Sequence, residues 1–194
     1  MNLQARATNM VMKPAQEWRV INGEMTTSAE LLINYAAPLT AIAAVCRFIG
    51  TTMIGMPALA GTVRIGMVRG FSSAFVSWML ALLGAYLAAI VINKLSPTFQ
   101  SRGGTTQALK LVVYAATPVW IGGILNLVPA FLLLQVLIAF YAVYLFYLGL
   151  PILMQTPADK VIPFMVVSAV VVVVLAVVIG AILAALTGGV GSVL

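Results

Sequence analysis

Of the chain's 194 residues, 63% are hydrophobic and 7% charged, against about 45–50% and about 25% in soluble domains. Ten basic and four acidic side chains cannot build a water-facing surface, so lipid covers most of this chain and it is an integral membrane protein. With no histidine and one cysteine, Cys46, a Ser-His-Asp triad, a histidine-ligated metal and an intrachain disulfide are excluded. The acids are Glu17, Glu24, Glu30 and Asp159, so residues 31–158 carry no carboxylate. That argues against intramembrane proton relays, paired-carboxylate catalysis and carboxylate-held magnesium. The net charge of +6 comes from bases set singly between apolar blocks, which orients a membrane protein and is not a nucleic-acid footprint. No catalytic, cofactor-binding or metal-binding residue is assigned.

Residues 1–30 are read as an N-terminal cytoplasmic region and 31–194 as a five-span transmembrane domain. Pro14 to Gly23 reads as a short helix: proline suits its first position, Glu17 its positive N-terminus, and glycine its end. Trp18 and Ile21 share one face, as in a helix lying at the headgroup boundary. No apolar run here is long enough for a signal-peptide core, so no cleavage is expected. Thr27 and Glu30 then have capping-box spacing.

Five apolar segments follow, at roughly 31–55, 71–93, 109–128, 130–150 and 162–186. At about 1.5 Å per residue, some 20 residues cross a hydrocarbon core of about 30 Å. Runs of that length in lipid are helices, because only a helix satisfies its own backbone. Pro129 should make a tight hairpin between the third and fourth. The fold class is therefore all-α, a bundle of five transmembrane helices with a short interfacial helix before it. Counting bases gives seven inside (Arg6, Lys13, Arg19, Lys94, Arg102, Lys110, Lys160) and two outside (Arg64, Arg69). This predicts a cytoplasmic N-terminus and an outer C-terminus.

Seven residues stand out as candidate partner or lipid contacts. Arg47 lies within the first segment, where it either anchors an anion or snorkels to the boundary. Pro118, with Tyr114 one turn before it, should kink or break the third helix. Tyr141 and Tyr144, followed by Tyr147, suit a boundary belt on the fourth. Trp18 belongs to the interfacial helix. Gly180, in the series Ala176, Gly180, Ala184 and Gly188, makes a small-residue stripe on the fifth helix, and Ala81, Ala85 and Ala89 make one on the second.

The stretch Tyr114-Ala-Ala-Thr-Pro118-Val-Trp resembles the Yip domain family (Ypt/Rab-interacting proteins), in particular its bacterial branch. So does Tyr141-x-x-Tyr144-Leu-x-x-x-Gly149-Leu-Pro151-x-Leu-Met154-x-Thr156-Pro157-x-x-Lys160. Pro14-x-x-x-Trp18-x-x-Ile21-x-x-Glu24 and Pro38-Leu39 fit as well, so the resemblance covers roughly residues 14–175. It implies five transmembrane helices, a cytoplasmic N-terminus and, for eukaryotic members, association with Rab GTPases in vesicle traffic. The eukaryotic pattern has an acidic residue and a glycine before the first-span proline; this chain has Asn34-Tyr35-Ala36-Ala37-Pro38. GTPase binding is therefore not carried over. The expectation is a non-enzymatic scaffold of a bacterial inner membrane that contacts lipid and membrane-protein partners or further copies of itself. The alternative is a small channel or transporter, with an anion or lipid pathway, built on the Pro118 break and Arg47.

Overall fold

The computed structural model describes residues 2–58, 61–127 and 131–187. Two short helices lead the chain, α1 (Leu3–Met12) and α2 (Pro14–Gly23). The bounds of α2 are those that its proline and glycine predict. Asn2 caps α1 by accepting from the Ala5 N–H. Thr27 and Glu30 form the expected capping box, with the Glu30 N–H donating to the Thr27 hydroxyl at 3.2 Å and the Thr27 N–H to the Glu30 carboxylate at 2.9 Å.

Among the described residues, five helices are long and apolar enough to cross a membrane: Ser28–Ile54, Met67–Phe99, Thr105–Leu127, Leu133–Leu153 and Val161–Ala185. They are numbered here as spans one to five, and the chain is an all-α membrane protein. Span one carries π-helical turns at Leu32–Ala36 and Gly50–Ile54. Between spans one and two a small antiparallel pair forms, β1 (Met56–Ala58) and β2 (Gly61–Val63), with Met56 opposite Val63. Span three breaks where Pro118 requires it. Its α-helix ends at Ala115, resumes at Thr117 with proline in the first turn, and tightens to a 3-10 helix over Gly123–Leu127. The Pro129 hairpin and residues 188–194, including Gly188, lie outside the described residues.

The end of the bundle that carries α1 and α2 is called proximal, and the opposite end distal. Span two packs against spans one, three and five, and span four packs against span three and α2. Most of the core lies in the proximal half, around Trp18, Tyr35, Leu111, Tyr114, Leu145 and Leu150. At the proximal surface two loops are tied together. The Arg102 N–H donates to the Met154 carbonyl at 2.9 Å, and the Ser101 and Thr156 hydroxyls share a buried hydrogen bond of 2.8 Å.

Candidate functional site: a charge-balanced cluster beneath the N-terminal helices

Glu17, Trp18, Ile21 and Glu24 recur at helical spacing, so one face of α2 and its exit carries two aligned carboxylates beside two apolar side chains. That face turns inward. Trp18 and Ile21 are fully buried in the protein and do not meet lipid at a headgroup boundary. The Trp18 indole N–H donates to the Leu145 carbonyl of span four at 3.1 Å. Gly149 opens the space for the ring: a Cβ there would lie 2.9 Å from two of its carbons and 2.6 Å from Leu111. Bundle packing thus replaces lipid on this face because spans three and four leave a slot that matches it.

The acids on this face meet cations from two other elements. Arg6 of α1 donates to Glu17 at 2.5 Å and, through its second terminal nitrogen, to Glu24. Lys110 of span three is 2% exposed and donates to the Ile21 carbonyl at 3.1 Å and the Glu24 carbonyl at 2.5 Å. It therefore caps the exit of α2, where helical carbonyls have no internal partner and the helix dipole favours a cation. Two cations and two carboxylates make the cluster neutral, which is what permits charges in so dry a place. Burial weighs most against the Arg6 charge. The Glu24 hydrogen bond and the two carboxylate charges together outweigh it, so the guanidinium's pKa lies above its ordinary value. Arg6 stays charged at every pH the protein meets.

Aromatic and hydroxyl groups floor the cluster. The Arg6 guanidinium carbon lies 5.9 Å from the Tyr114 ring centre, within cation–π range. Tyr114 meets Trp18 edge-on at 6.3 Å and Tyr35 at 4.7 Å. The Tyr35 hydroxyl pairs with the Thr117 hydroxyl at 2.8 Å, and both residues are fully buried. Thr117 thus links span one to the break in span three.

Trp18, Tyr114, Pro118 and Tyr141 come together around the N-terminal helices. The Tyr141 hydroxyl donates to the Val11 carbonyl at 2.6 Å. Val11, Pro118, Ile121, Gly122, Ile138 and Tyr141 line part of an apolar pocket of about 500 Å³ between spans three and four. Tyr144 touches Tyr141, with ring centres 5.8 Å apart, and is itself half exposed. Arg47 stands apart, exposed in the last α-helical turn of span one. Gly180 also stands apart, since a Cβ added there would meet nothing within 4 Å. Arg6, Glu17, Tyr35 and Lys110 belong to the site but were not among the residues singled out from sequence. The available signal was the pair of acids on the apolar face of α2, which a solvated helix would have placed opposite Trp18.

What the arrangement does chemically is hold: each of its four charges is matched by an internal partner, and the segment they clamp is the N-terminus. The family model for the Yip1 domain matches residues 8–182. The inner membrane protein YohC of Escherichia coli (strain K12) is 28% identical over 155 residues, which is 78% of this chain and 80% of that protein. The protein of the same name from Escherichia coli O6:H1 (strain CFT073) matches equally. No solved structure matches. Residues 8–182 include α2, the cluster's Lys110, spans one to four and all but the last three residues of span five, so the chain belongs to the Yip1 domain family.

Proposed function

We propose that this protein is a non-enzymatic scaffold of a bacterial inner membrane, with its N-terminus in the cytoplasm, that recruits protein partners or organises lipid. The observation that carries this reading is the rigid mounting of α1 and α2. Their inner faces are locked by Arg6, Glu17, Trp18 and Lys110, while Gln4, Thr8, Lys13, Gln16 and Arg19 are exposed on the outside. A segment held this way presents a fixed surface, polar apart from Met12 and Val20, at no further ordering cost when a partner binds. The membrane assignment of the two relatives supports the location. The test is a photo-crosslinking residue at Gln16 in living cells. Discrete protein adducts are expected, and adducts to lipid alone would remove the recruiting half of the proposal.

A second reading is a pathway for lipid, and one observation favours it over a pathway for ions. The pocket beside Pro118 is lined almost wholly by apolar side chains. Such a lining suits an acyl chain and offers nothing to replace an ion's water. Transfer of a fluorescent phospholipid between the leaflets of reconstituted vesicles tests it, and a rate equal to that of empty vesicles ends it.

A further inference from the structure

We propose that Arg47 and Arg64 form a site for the phosphodiester of an anionic phospholipid in the leaflet at the distal end. The proposal deepens the lipid-organising half of the function above. It starts from geometry. Arg47, Thr51 and Gly55 follow each other at intervals of four, along one face of span one and its exit. The Ile65 N–H donates to the Thr51 carbonyl at 3.0 Å, which brings the strand after the hairpin back onto that face. Gly55 has a φ of +90°, and a Cβ on it would lie 2.9 Å from the Arg64 Cγ. The stem of Arg64 therefore lies across Gly55, and both the backbone turn and the space require glycine there. Arg47 and Arg64 are both exposed at this rim.

Charge then identifies the ligand. The four acidic side chains of the sequence all lie at the proximal end. Glu17 and Glu24 bind Arg6, Glu30 binds Thr27, and Asp159 lies 3.6 Å from Lys160. No Asp or Glu side chain can cross the bundle to reach the distal arginines. Two like charges on one low-dielectric rim repel each other and draw in an external anion.

Depth points to a lipid as its source. Arg47 lies 19 residues beyond Ser28, or about 28 Å along a helix, beside the boundary of a hydrocarbon layer about 30 Å thick. Lipid phosphates are concentrated there. Guanidinium forks match a phosphodiester bidentately, which an ammonium does not. Two arginines against one phosphodiester also favour an anionic lipid over a zwitterionic one, whose own ammonium would be repelled.

The experiment titrates short-chain phosphatidylglycerol into the full-length protein in neutral detergent and reads the thermal shift and, by native mass spectrometry, the bound lipid. Arg47→Gln/Arg64→Gln should bind about tenfold more weakly, as expected on losing charge-assisted bonds. Lys94→Gln/Arg102→Gln, which removes equal charge at the proximal end, should bind as the parent does. Arg47→Lys/Arg64→Lys should fall between, since charge remains and the fork is lost. Equal binding by parent and Arg47→Gln/Arg64→Gln overturns the site. Equal loss in the proximal control overturns it too, because net charge alone would then explain the effect. Inorganic phosphate that shifts the parent as much as the lipid does would make this a free-phosphate site and overturn the lipid assignment. All these outcomes are independent of whether Gln16 crosslinks to a protein.

Discussion

Spans three and five are both apolar helices of similar length, yet 61% of span three's most hydrophobic window is buried in the protein and only 6% of span five's. The less hydrophobic helix is the central one. Span three has a mean hydropathy of 1.6 and span five 3.3, the order expected when lipid, and not water, is the outer solvent. A helix facing hydrocarbon needs only valine and leucine. A helix surrounded by others brings Lys110, Tyr114 and Thr117, because its neighbours supply the partners those groups require. Buried polar partners, and not low hydropathy alone, mark the centre: span one has the same mean hydropathy of 1.6 as span three, yet only 22% of its window is buried.

Substitutions can break that comparison, and all are read as unfolding free energy or melting temperature in detergent. The largest effect is expected from Trp18→Ala, which empties the slot between spans three and four and should cost about 3–5 kcal/mol. A loss below about 1 kcal/mol would mean that α2 does not dock as described. Arg6→Ala leaves Glu17 and Glu24 beside Lys110 alone. Glu17 is nearly buried but Glu24 is a third exposed, so about 3 kcal/mol is expected, at the low end for a broken buried pair. Pairing Arg6→Ala with Glu17→Gln should recover part of that loss, and strict additivity would show that the two residues do not interact.

Smaller effects separate a small residue of span two, Gly84, from the small-residue stripe on span five. A Cβ at Gly84 would lie 2.5 Å from the Ile179 Cδ1, so Gly84→Leu must displace that side chain or the helix that carries it, at about 1–3 kcal/mol. Gly180→Leu should change stability by less than about 0.5 kcal/mol, because its side chain enters open space. If Gly180→Leu proved the worse of the two, span five would have to be turned about its axis. Should it leave stability intact but abolish a crosslinked dimer, the stripe on span five would be an interface between copies.

Much of this architecture was legible in the sequence. Proline and glycine delimited α2, Thr27 and Glu30 announced span one, and Pro118 announced the break in span three, since each signal acts through backbone geometry within a few residues. The stripe of alanines on span two does serve packing, with Ala85 and Ala89 buried. Ala176, Gly180 and Ala184 carry the same pattern but are exposed. Spacing reveals that a close approach is sterically allowed; it does not reveal whether a neighbour is there. The cluster was illegible for a related reason. Arg6 and Glu17 are 11 residues apart on different helices, and only the reversal at Lys13 brings them together. Lys110 was counted as one more orienting base, although its side chain points into the protein and caps α2.

The Trp18–Leu145 hydrogen bond joins residues 127 positions apart. At roughly 5–20 residues per second of synthesis, the ribosome needs about 6–25 s to make the chain that separates them. For most of that interval span one is already made, while α2 has neither its Leu145 acceptor nor the slot at Gly149. Its carboxylates already have Arg6 to pair with, but its indole lacks this acceptor until span four enters the membrane. Docking of the first helices is thus among the last steps of biogenesis, and it reports that the third and fourth spans have both been inserted.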